Sequence, residues 1–338
     1  MRKTLWVYVL ACLLVFGMLQ GCADENIAAA STQTLVPAET AAPSAMPTES
    51  ETGSKFRVGL SLQDDSPFVL RVGHKLQELV NTYDDDIELV TFNGMANANA
   101  QIAHIESFIS SGFDAIILDP ISYEKCALAV TIAQNAGIPL IVTITETYNP
   151  TGYMSFVGSN HYQSGLIEAQ MVAEYLNGAG KVVILEGVMG ISAQTGRCEA
   201  YVDVLKNYPD IEIVAVQTAA WQREEAYAIV ENWIRNDKDF SVVLSENDNM
   251  AMGAIQAIEE LGMQDKIAVF GVDGDADALQ AVKDGRLKGT VFHNAQKIAE
   301  SLHDCILKLK TYETIESSYI IPFEPVTQKN VDKYIEEY

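Results

Sequence analysis

The sequence is poor in positive charge. Its 338 residues include 22 Lys and Arg against 46 Asp and Glu, which gives a net charge of −24 at pH 7. A chain of this charge repels phosphate backbones, so nucleic acid is not expected as a partner. The acidic residues are scattered, which is typical of a solvated surface. The length is sufficient for two lobes, each with a hydrophobic core.

Cysteine is also scarce. Three of the five cysteines, Cys126, Cys198 and Cys305, fall where the chain is expected to fold, and none belongs to a C-x-x-C pair. A disulfide framework and a zinc site are therefore not predicted. The acidic stretch from Asp273 to Asp277 echoes a calcium loop, but it is predicted to be helical. We accordingly expect no metal and no cofactor.

The sequence lacks the common motifs of hydrolases and nucleotide enzymes. It contains no nucleophile elbow, no H-E-x-x-H and no phosphate loop. A helix-turn-helix is missing as well, which disfavours a repressor. An enzyme is therefore not expected, although a secreted glycosidase that uses Asp273 and a second carboxylate remains a minor alternative.

No apolar run reaches the length of about 20 residues that a membrane-spanning helix needs. The longest, Leu5 to Leu19, follows Arg2 and Lys3, and this arrangement is typical of a secretory signal. The run ends in Leu19-Gln20-Gly21-Cys22, which resembles a bacterial lipoprotein signal. The resemblance implies a signal peptide over residues 1–21 and lipidation of Cys22. The alternative is an ordinary signal peptide or anchor, with Cys22 buried.

Residues 22–54 are rich in Ala, Ser, Thr, Pro and Glu and have almost no large apolar side chains. Such a segment cannot bury enough surface to fold, so it is predicted to be a disordered tether. A lipid followed by a tether would hold the folded part on the extracytoplasmic face of the membrane, in the cell envelope.

From residue 55 onward, short apolar runs alternate with segments of helical period. The first series of strands is predicted at Phe56–Leu62, Ile87–Phe92, Ala115–Asp119 and Pro139–Thr145. After a short strand at Ser155–Gly158 the pattern restarts, with strands at Lys181–Glu186, Ile211–Thr218, Val242–Leu244, Ile267–Phe270 and Thr290–Phe292. Strand–helix alternation predicts parallel sheets with crossover helices. Two such series predict an α/β fold of two doubly wound, Rossmann-like lobes with a cleft between them.

Polar residues follow the last three of these strands. Asn247, Asp273 and His293 each come at or just after a strand end. Because the carboxyl ends of parallel strands line the crevice where such folds bind ligands, these three side chains should converge. Asp248 is most simply a helix N-cap, and Asn247 could share that role.

Several segments closely resemble periplasmic galactose/glucose- and ribose-binding proteins, the type I substrate-binding proteins of ABC transporters. They are FGVDGDADALQAVKDGRLKGTVFHNAQ, ENDNMAMGAIQAIEELG, GISAQTGRCEAYVDVL, AAWQREEA, DDSPF and LDP. The resemblance covers residues 55–338 and implies two lobes joined by three hinge strands. It predicts an N-terminal lobe of residues 55–159 plus 294–319 and a C-terminal lobe of residues 160–293 plus 320–338.

The resemblance also implies a sugar site. Aromatic plates suit the apolar faces of a sugar, and charged or amide groups suit its hydroxyls. The predicted ligand-binding residues are Asp65, Ser66, Phe68, Asp119, Arg197, Trp221, Asn247, Asp273 and His293. Phe68 and Trp221 match stacking positions, although Trp221 could instead be a core residue. The sequence departs from the family at Ser66, Asp119 and His293, where sugar binders carry other polar residues.

We therefore predict a monomeric lipoprotein that captures a monosaccharide or related polyol and delivers it to an ABC permease. The alternative is a receptor subunit that reports a sugar to a chemoreceptor or a sensor kinase.

Overall fold

The computed structural model describes residues 54–337. The predicted signal peptide, the lipidation at Cys22 and residues 22–53 of the predicted tether lie outside the described residues. Among residues 54–337, no helix is both long enough and apolar enough to cross a membrane.

The described chain contains twelve strands and ten helices. The strands are β1 (Phe56–Leu62), β2 (Ile87–Asn93), β3 (Ala115–Leu118), β4 (Leu140–Ile144), β5 (Ser155–Gly158), β6 (Ala179–Glu186), β7 (Asp210–Thr218), β8 (Val242–Ser245), β9 (Ala268–Asp273), β10 (Gly289–Phe292), β11 (Ser318–Ile320) and β12 (Glu324–Val326). The helices are α1 (Pro67–Tyr83), α2 (Ala98–Ser110), α3 (Cys126–Ala136), α4 (His161–Tyr175), α5 (Ser192–Leu205), α6 (Arg223–Arg235), α7 (Asp248–Glu260), α8 (Ala276–Lys283), α9 (Ala295–Lys310) and α10 (Val331–Glu337).

The strands form two six-stranded sheets. The first has the order β11-β5-β4-β3-β1-β2 and is parallel throughout. The second has the order β12-β10-β9-β8-β6-β7 and is parallel except for β12, which runs antiparallel to β10. The central strands are buried along their whole length, as expected for sheets covered by helices on both faces. The predicted fold class is confirmed.

The chain passes between the two sheets three times. The crossings lie between β5 and α4, between β10 and α9, and between β11 and β12. Helix α9 packs on α1 of the first sheet, and α10 packs on α8 of the second. We call the first sheet with α1, α2, α3 and α9 the first lobe, and the second sheet with the other helices the second lobe. The residue-level boundaries predicted for the two domains stay a prediction.

Asparagine side chains begin four of the helices. Asn97, Asn160, Asn247 and Asn294 each accept backbone N–H groups from the first turn of α2, α4, α7 and α9, respectively. These N–H groups have no partner inside a helix, so such caps stabilise it by about 1 kcal/mol. Three of the caps directly follow a strand end or a crossing, and they therefore fix where the chain turns next to the cleft.

Candidate functional site

A cavity lies where the carboxyl ends of the two sheets face each other. Its wall is formed by Gln63, Ser66, Phe68, Val69, Ile144, Thr145, His161, Ala193, Arg197, Trp221, Asn247, Asp273 and His293. Only about 30 Å³ of the cavity is open to the centres of water-sized molecules. That is room for about one water molecule, so a larger ligand must enter by separating the lobes.

Seven of the nine ligand-binding residues predicted from the sequence line this cavity. They are Ser66, Phe68, Arg197, Trp221, Asn247, Asp273 and His293. The convergence expected for the last three strand ends is therefore present in the structure. Whether these residues bind a ligand stays a prediction.

Asp65 and Asp119 do not line the cavity. Asp65 is exposed, and the preceding residue, Asp64, accepts the N–H and the hydroxyl of Ser66 at 3.0 and 2.7 Å. Asp119 lies fully buried beneath the wall, where its carboxyl is 3.1 Å from Thr145 Oγ1 and accepts the Gln63 N–H at 3.4 Å. Burial raises the pKa of Asp119 well above its usual range. Asp64 and Asp119 therefore support wall residues from behind.

Asn247 has a double role that the sequence left open. Its Oδ1 accepts the Met250 N–H at 2.9 Å, so it is the N-cap of α7, and its side-chain amide nitrogen remains available as a donor. Asp248, predicted as the simplest cap, instead lies buried and accepts the Thr290 hydroxyl and the Asp275 N–H. The prediction for Asp248 is wrong because the helix begins one residue earlier than the simplest pattern suggests.

An arginine and an aspartate form the charged part of the wall. Arg197 NH2 lies 3.6 Å from Asp273 Oδ1, and both side chains are more than nine-tenths buried. Arg197 is held from behind, because Nε donates to Ser164 Oγ at 3.2 Å and NH1 donates to the Glu246 carbonyl. Burial raises the pKa of Asp273 to about 6, and the charge of Arg197 opposes that rise. The neighbouring charge of Arg197 thus favours the charged form of Asp273, which accepts hydrogen bonds.

Aromatic rings form the apolar part of the wall. Phe68 stacks on His293, with ring centroids 3.9 Å apart and planes within 9°. Trp221 lies directly above Gly187, where an added Cβ would meet the indole ring at 1.9 Å. Glycine at position 187 therefore lets the indole reach its place. The two rings predicted to stack on a sugar are both at the cavity, one on each lobe.

Buried polar atoms without a hydrogen-bond partner are concentrated at this cavity. In the described part of the chain, they include Gln63 Oε1, His161 Nδ1, Trp221 Nε1 and both ring nitrogens of His293. A buried polar group left unpaired costs about 1–3 kcal/mol. A ligand with several hydroxyls can pair these atoms, whereas an apolar ligand cannot.

The backbone is also strained here. Ile144, Trp221 and Asp273 have φ values of 59, 65 and 122°, in a region that residues other than glycine rarely adopt. Strain of this kind costs about 1–3 kcal/mol per residue and tends to occur at functional sites.

Hydrogen bonds of Arg71 and Glu146 bridge the lobes beside the cavity. Arg71 on α1 donates from NH1 to Asp275 Oδ1 at 2.9 Å and from NH2 to the Asp273 carbonyl at 3.2 Å. Both side chains of the Arg71–Asp275 ion pair are more than nine-tenths buried. On another side, the Glu146 N–H donates to Ser192 Oγ at 2.9 Å. The structure is therefore a closed form.

A wider cleft of about 610 Å³ adjoins the cavity and shares His161 with it. The buried, unpaired atoms of Gln63, Trp221 and His293 belong to the smaller cavity. We therefore regard the smaller cavity as the candidate binding site, although the cleft is larger.

One cluster of possible metal ligands occurs among the described residues. It joins Glu186, Cys198 and Glu246 behind the wall. The Cys198 thiol donates to Glu186 Oε1 at 2.8 Å, and the Gly187 N–H donates to Glu246 Oε2 at 2.7 Å. Burial raises the pKa of Glu246 to about 8. Internal hydrogen bonds thus already satisfy this cluster.

Gln63 and His161 are wall residues that the sequence did not single out. Gln63 directly follows β1, and His161 lies three residues beyond β5. The rule that strand ends line the crevice, applied to every strand of the first lobe, would have found both.

Two lobes that close on a buried, partly charged cavity define a ligand-binding protein of the hinged, bilobal class. Residues 58–311 match the family described as periplasmic binding protein domain. The chain is 32% identical to the xylitol-binding protein of Mycolicibacterium smegmatis, over 83% of this chain and 79% of the relative. It is 28% identical to the ribose import binding protein of Bacillus subtilis, over 84% of this chain and 92% of the relative.

A solved structure agrees with these relatives. An ABC transporter solute binding protein from Bacillus halodurans C-125 with bound myo-inositol superposes with a TM-score of 0.82 at 31% identity, and the match covers 86% of this chain and all of that one. The chain belongs to the periplasmic binding protein family. Its members are extracytoplasmic binding proteins, which confirms the predictions that the chain acts outside the cytoplasm and is not an enzyme.

Proposed function

We propose that this chain binds an uncharged sugar or cyclic or linear polyol in the cavity and delivers it to an ABC permease. The observation that carries the proposal is the set of buried polar atoms without partners in a wall that also holds two aromatic rings. Hydroxyls would pair the polar atoms, and the rings would cover the C–H faces. The relatives named for xylitol and ribose, and the relative with bound myo-inositol, support the same chemical class.

The charges around the cavity support a neutral ligand. Arg197 faces Asp273, and Arg71 pairs with Asp275, so the positive and negative groups balance. A ligand with a net charge would add one unpaired charge to a buried site, which is costly.

The proposal extends to anchoring and assembly. A lipid on Cys22 and a tether over residues 22–54 would hold a monomer near its permease. The Leu-x-Gly-Cys ending and the composition of the tether support this arrangement. The sensor alternative is not favoured, since the relatives named above include an import binding protein and a transporter component.

The test is isothermal titration and thermal unfolding of the full-length chain with myo-inositol, xylitol, D-ribose and D-glucose. Leucine, a zwitterion, and glutamate, an anion, serve as comparison ligands with ionic groups. We expect at least one sugar or polyol to bind, and at 100 times its Kd it should stabilise the fold by about 2.7 kcal/mol. Stabilisation by an amino acid, or by none of the sugars and polyols, would contradict the proposal.

A further inference from the structure

His161 connects the two lobes at the cavity. It is the first residue of α4, directly after a crossing, yet its ring reaches the end of β4 in the first lobe. There Nε2 lies 2.8 Å from the Ile144 carbonyl oxygen. The ring also meets His293 edge to face, with centroids 5.8 Å apart.

The contact with Ile144 determines the tautomer of His161. A carbonyl oxygen can only accept a hydrogen bond, so Nε2 must carry the proton. In a neutral imidazole the other nitrogen, Nδ1, then has a free lone pair and acts only as an acceptor. Burial lowers the pKa of His161 well below its usual value, and the positive charge of Arg197 lowers it further, so the ring stays neutral near pH 7.

The Nδ1 acceptor has no partner. His161 is 6% exposed, and Nδ1 is buried without a hydrogen bond in the described part of the chain. The titratable side chains that act on the ring are Arg197 of α5 and His293, and His293 is itself neutral near pH 7. Neither of them donates to Nδ1, so the acceptor is left for a molecule in the cavity.

We propose that His161 is a ligand-binding residue of this site, whose Nδ1 accepts a hydrogen bond from a hydroxyl of the bound sugar or polyol. This inference rests on the proposed function and specifies it further. A ligand with an ether oxygen or a carbonyl at that position would set one lone pair against another and bind more weakly. His161 thus selects for a free hydroxyl.

The first test needs no ligand. The chain has five histidines, so the ¹⁵N ring signals of His161 can be assigned in the histidine-labelled full-length chain by their loss in His161→Gln. At pH 7 we expect a neutral ring with the proton on Nε2. A proton on Nδ1, or a charged ring, would overturn the inference.

The second test uses two substitutions that divide the roles of the ring. Gln at position 161 can still donate to the Ile144 carbonyl but lacks the acceptor at Nδ1, whereas Asn places an acceptor near the Nδ1 position. The probes are myo-inositol, xylitol and D-ribose, titrated calorimetrically. For the probe that binds the wild type, we expect His161→Gln to bind about 10-fold more weakly, because one hydrogen bond to the ligand is lost. His161→Asn should stay within about threefold of the wild type.

His303→Gln is the matched control, because His303 contacts Asp84 away from the cavity. It should bind like the wild type. Unchanged binding by His161→Gln, or equal losses in the Gln and Asn variants, would overturn the inference, since the second result means a purely structural role. If no probe binds the wild type, the proposed function fails for these ligands, and the NMR result still decides whether Nδ1 is the acceptor.

Discussion

The two lobes contribute unlike chemistry to one cavity. The first lobe supplies only uncharged wall residues: Gln63, Ser66, Phe68, Val69, Ile144 and Thr145. The second lobe supplies both charged groups of the wall, Arg197 and Asp273, together with Asn247 and Trp221. We infer that the second lobe fixes the orientation of a polar ligand, while the first lobe closes over it as an uncharged cover.

The same asymmetry appears in the supporting contacts. Arg197 is fixed by Ser164 and Glu246, both in the second lobe. From the first lobe, the Arg71 side chain reaches across to Asp275 and the Asp273 carbonyl. The comparison predicts that substitutions in the second lobe abolish binding, whereas those in the first lobe weaken closure or fit.

The largest effect is expected for Asp273→Asn. This change keeps the shape of the side chain but removes the negative charge that accepts hydroxyls and faces Arg197. Hydrogen bonds to charged groups contribute about 1.5–3 kcal/mol each, so the loss of strength in two of them weakens binding by about 100-fold or more. Calorimetric titration measures this, with circular dichroism to verify the fold. A loss below about fivefold would contradict the assigned role.

A smaller effect is expected for Arg71→Met, which removes the ion pair between the lobes. Closure loses a buried contact and leaves Asp275 without its partner, so binding should weaken by about 10-fold. Small-angle scattering of the ligand-free protein should show a larger radius of gyration. Asp275→Asn should act in the same direction, and the double variant should be less harmful than the sum of the two. Additive losses would mean that the two residues act separately.

A still smaller effect is expected for Phe68→Leu. Leucine retains apolar bulk but removes the ring that stacks on His293 at 3.9 Å. Aromatic pairs contribute about 0.5–1.5 kcal/mol beyond their buried area, so affinity should fall by about threefold. The same titrations serve as the measurement. A loss as large as that of Asp273→Asn would contradict the division between the lobes.

The last change, Glu168→Gln, should alter how the free energy of unfolding depends on pH and leave ligand affinity nearly unchanged. Glu168 is buried on α4, where Tyr201 donates to it at 2.5 Å, and burial raises its pKa from 4.5 to about 8. The folded state therefore holds a proton that the unfolded state releases near pH 4.5. The stability associated with the protonated Glu168 is fully present below pH 4.5 and is lost as the pH rises through about 8.

Denaturant unfolding at several pH values measures this effect. The free energy of unfolding of the wild type should fall between pH 5 and 8, on the order of 2 kcal/mol more than that of Glu168→Gln. Glu174→Gln, which changes an exposed carboxylate on the same helix, is the control and should keep the wild-type slope. Equal slopes for all three proteins would show that Glu168 does not hold the proton.

The fold was predictable because periodicity identifies strands and helices, and alternation of the two dictates parallel sheets. Convergence of Asn247, Asp273 and His293 followed from the direction of parallel strands alone. The sequence could not show which of several consecutive residues at a strand end faces the cavity. Asp119 turns toward Thr145 beneath the wall, while Gln63, at the neighbouring strand end, is part of it.

The strand-end rule would have placed His161 at the cavity, but the sequence could not show its role. Its proposed role depends on Nδ1, which has no partner. Nδ1 is an acceptor only because Nε2 donates to the carbonyl of Ile144, 17 residues earlier in the chain. Composition and spacing carry no information about such a contact. The unlike roles of Asn247 and Asp248 were ambiguous for the same reason, since both residues are good caps and only their long-range partners distinguish them.

Gly187 offers a way to reshape the cavity without altering any residue of its wall. Because the indole of Trp221 rests on this glycine, a methyl group there would displace the ring. One small substitution outside the wall would thereby make the pocket shallower. Selection or engineering could use this floor position to favour slimmer ligands while leaving Arg197, Asn247 and Asp273 unchanged.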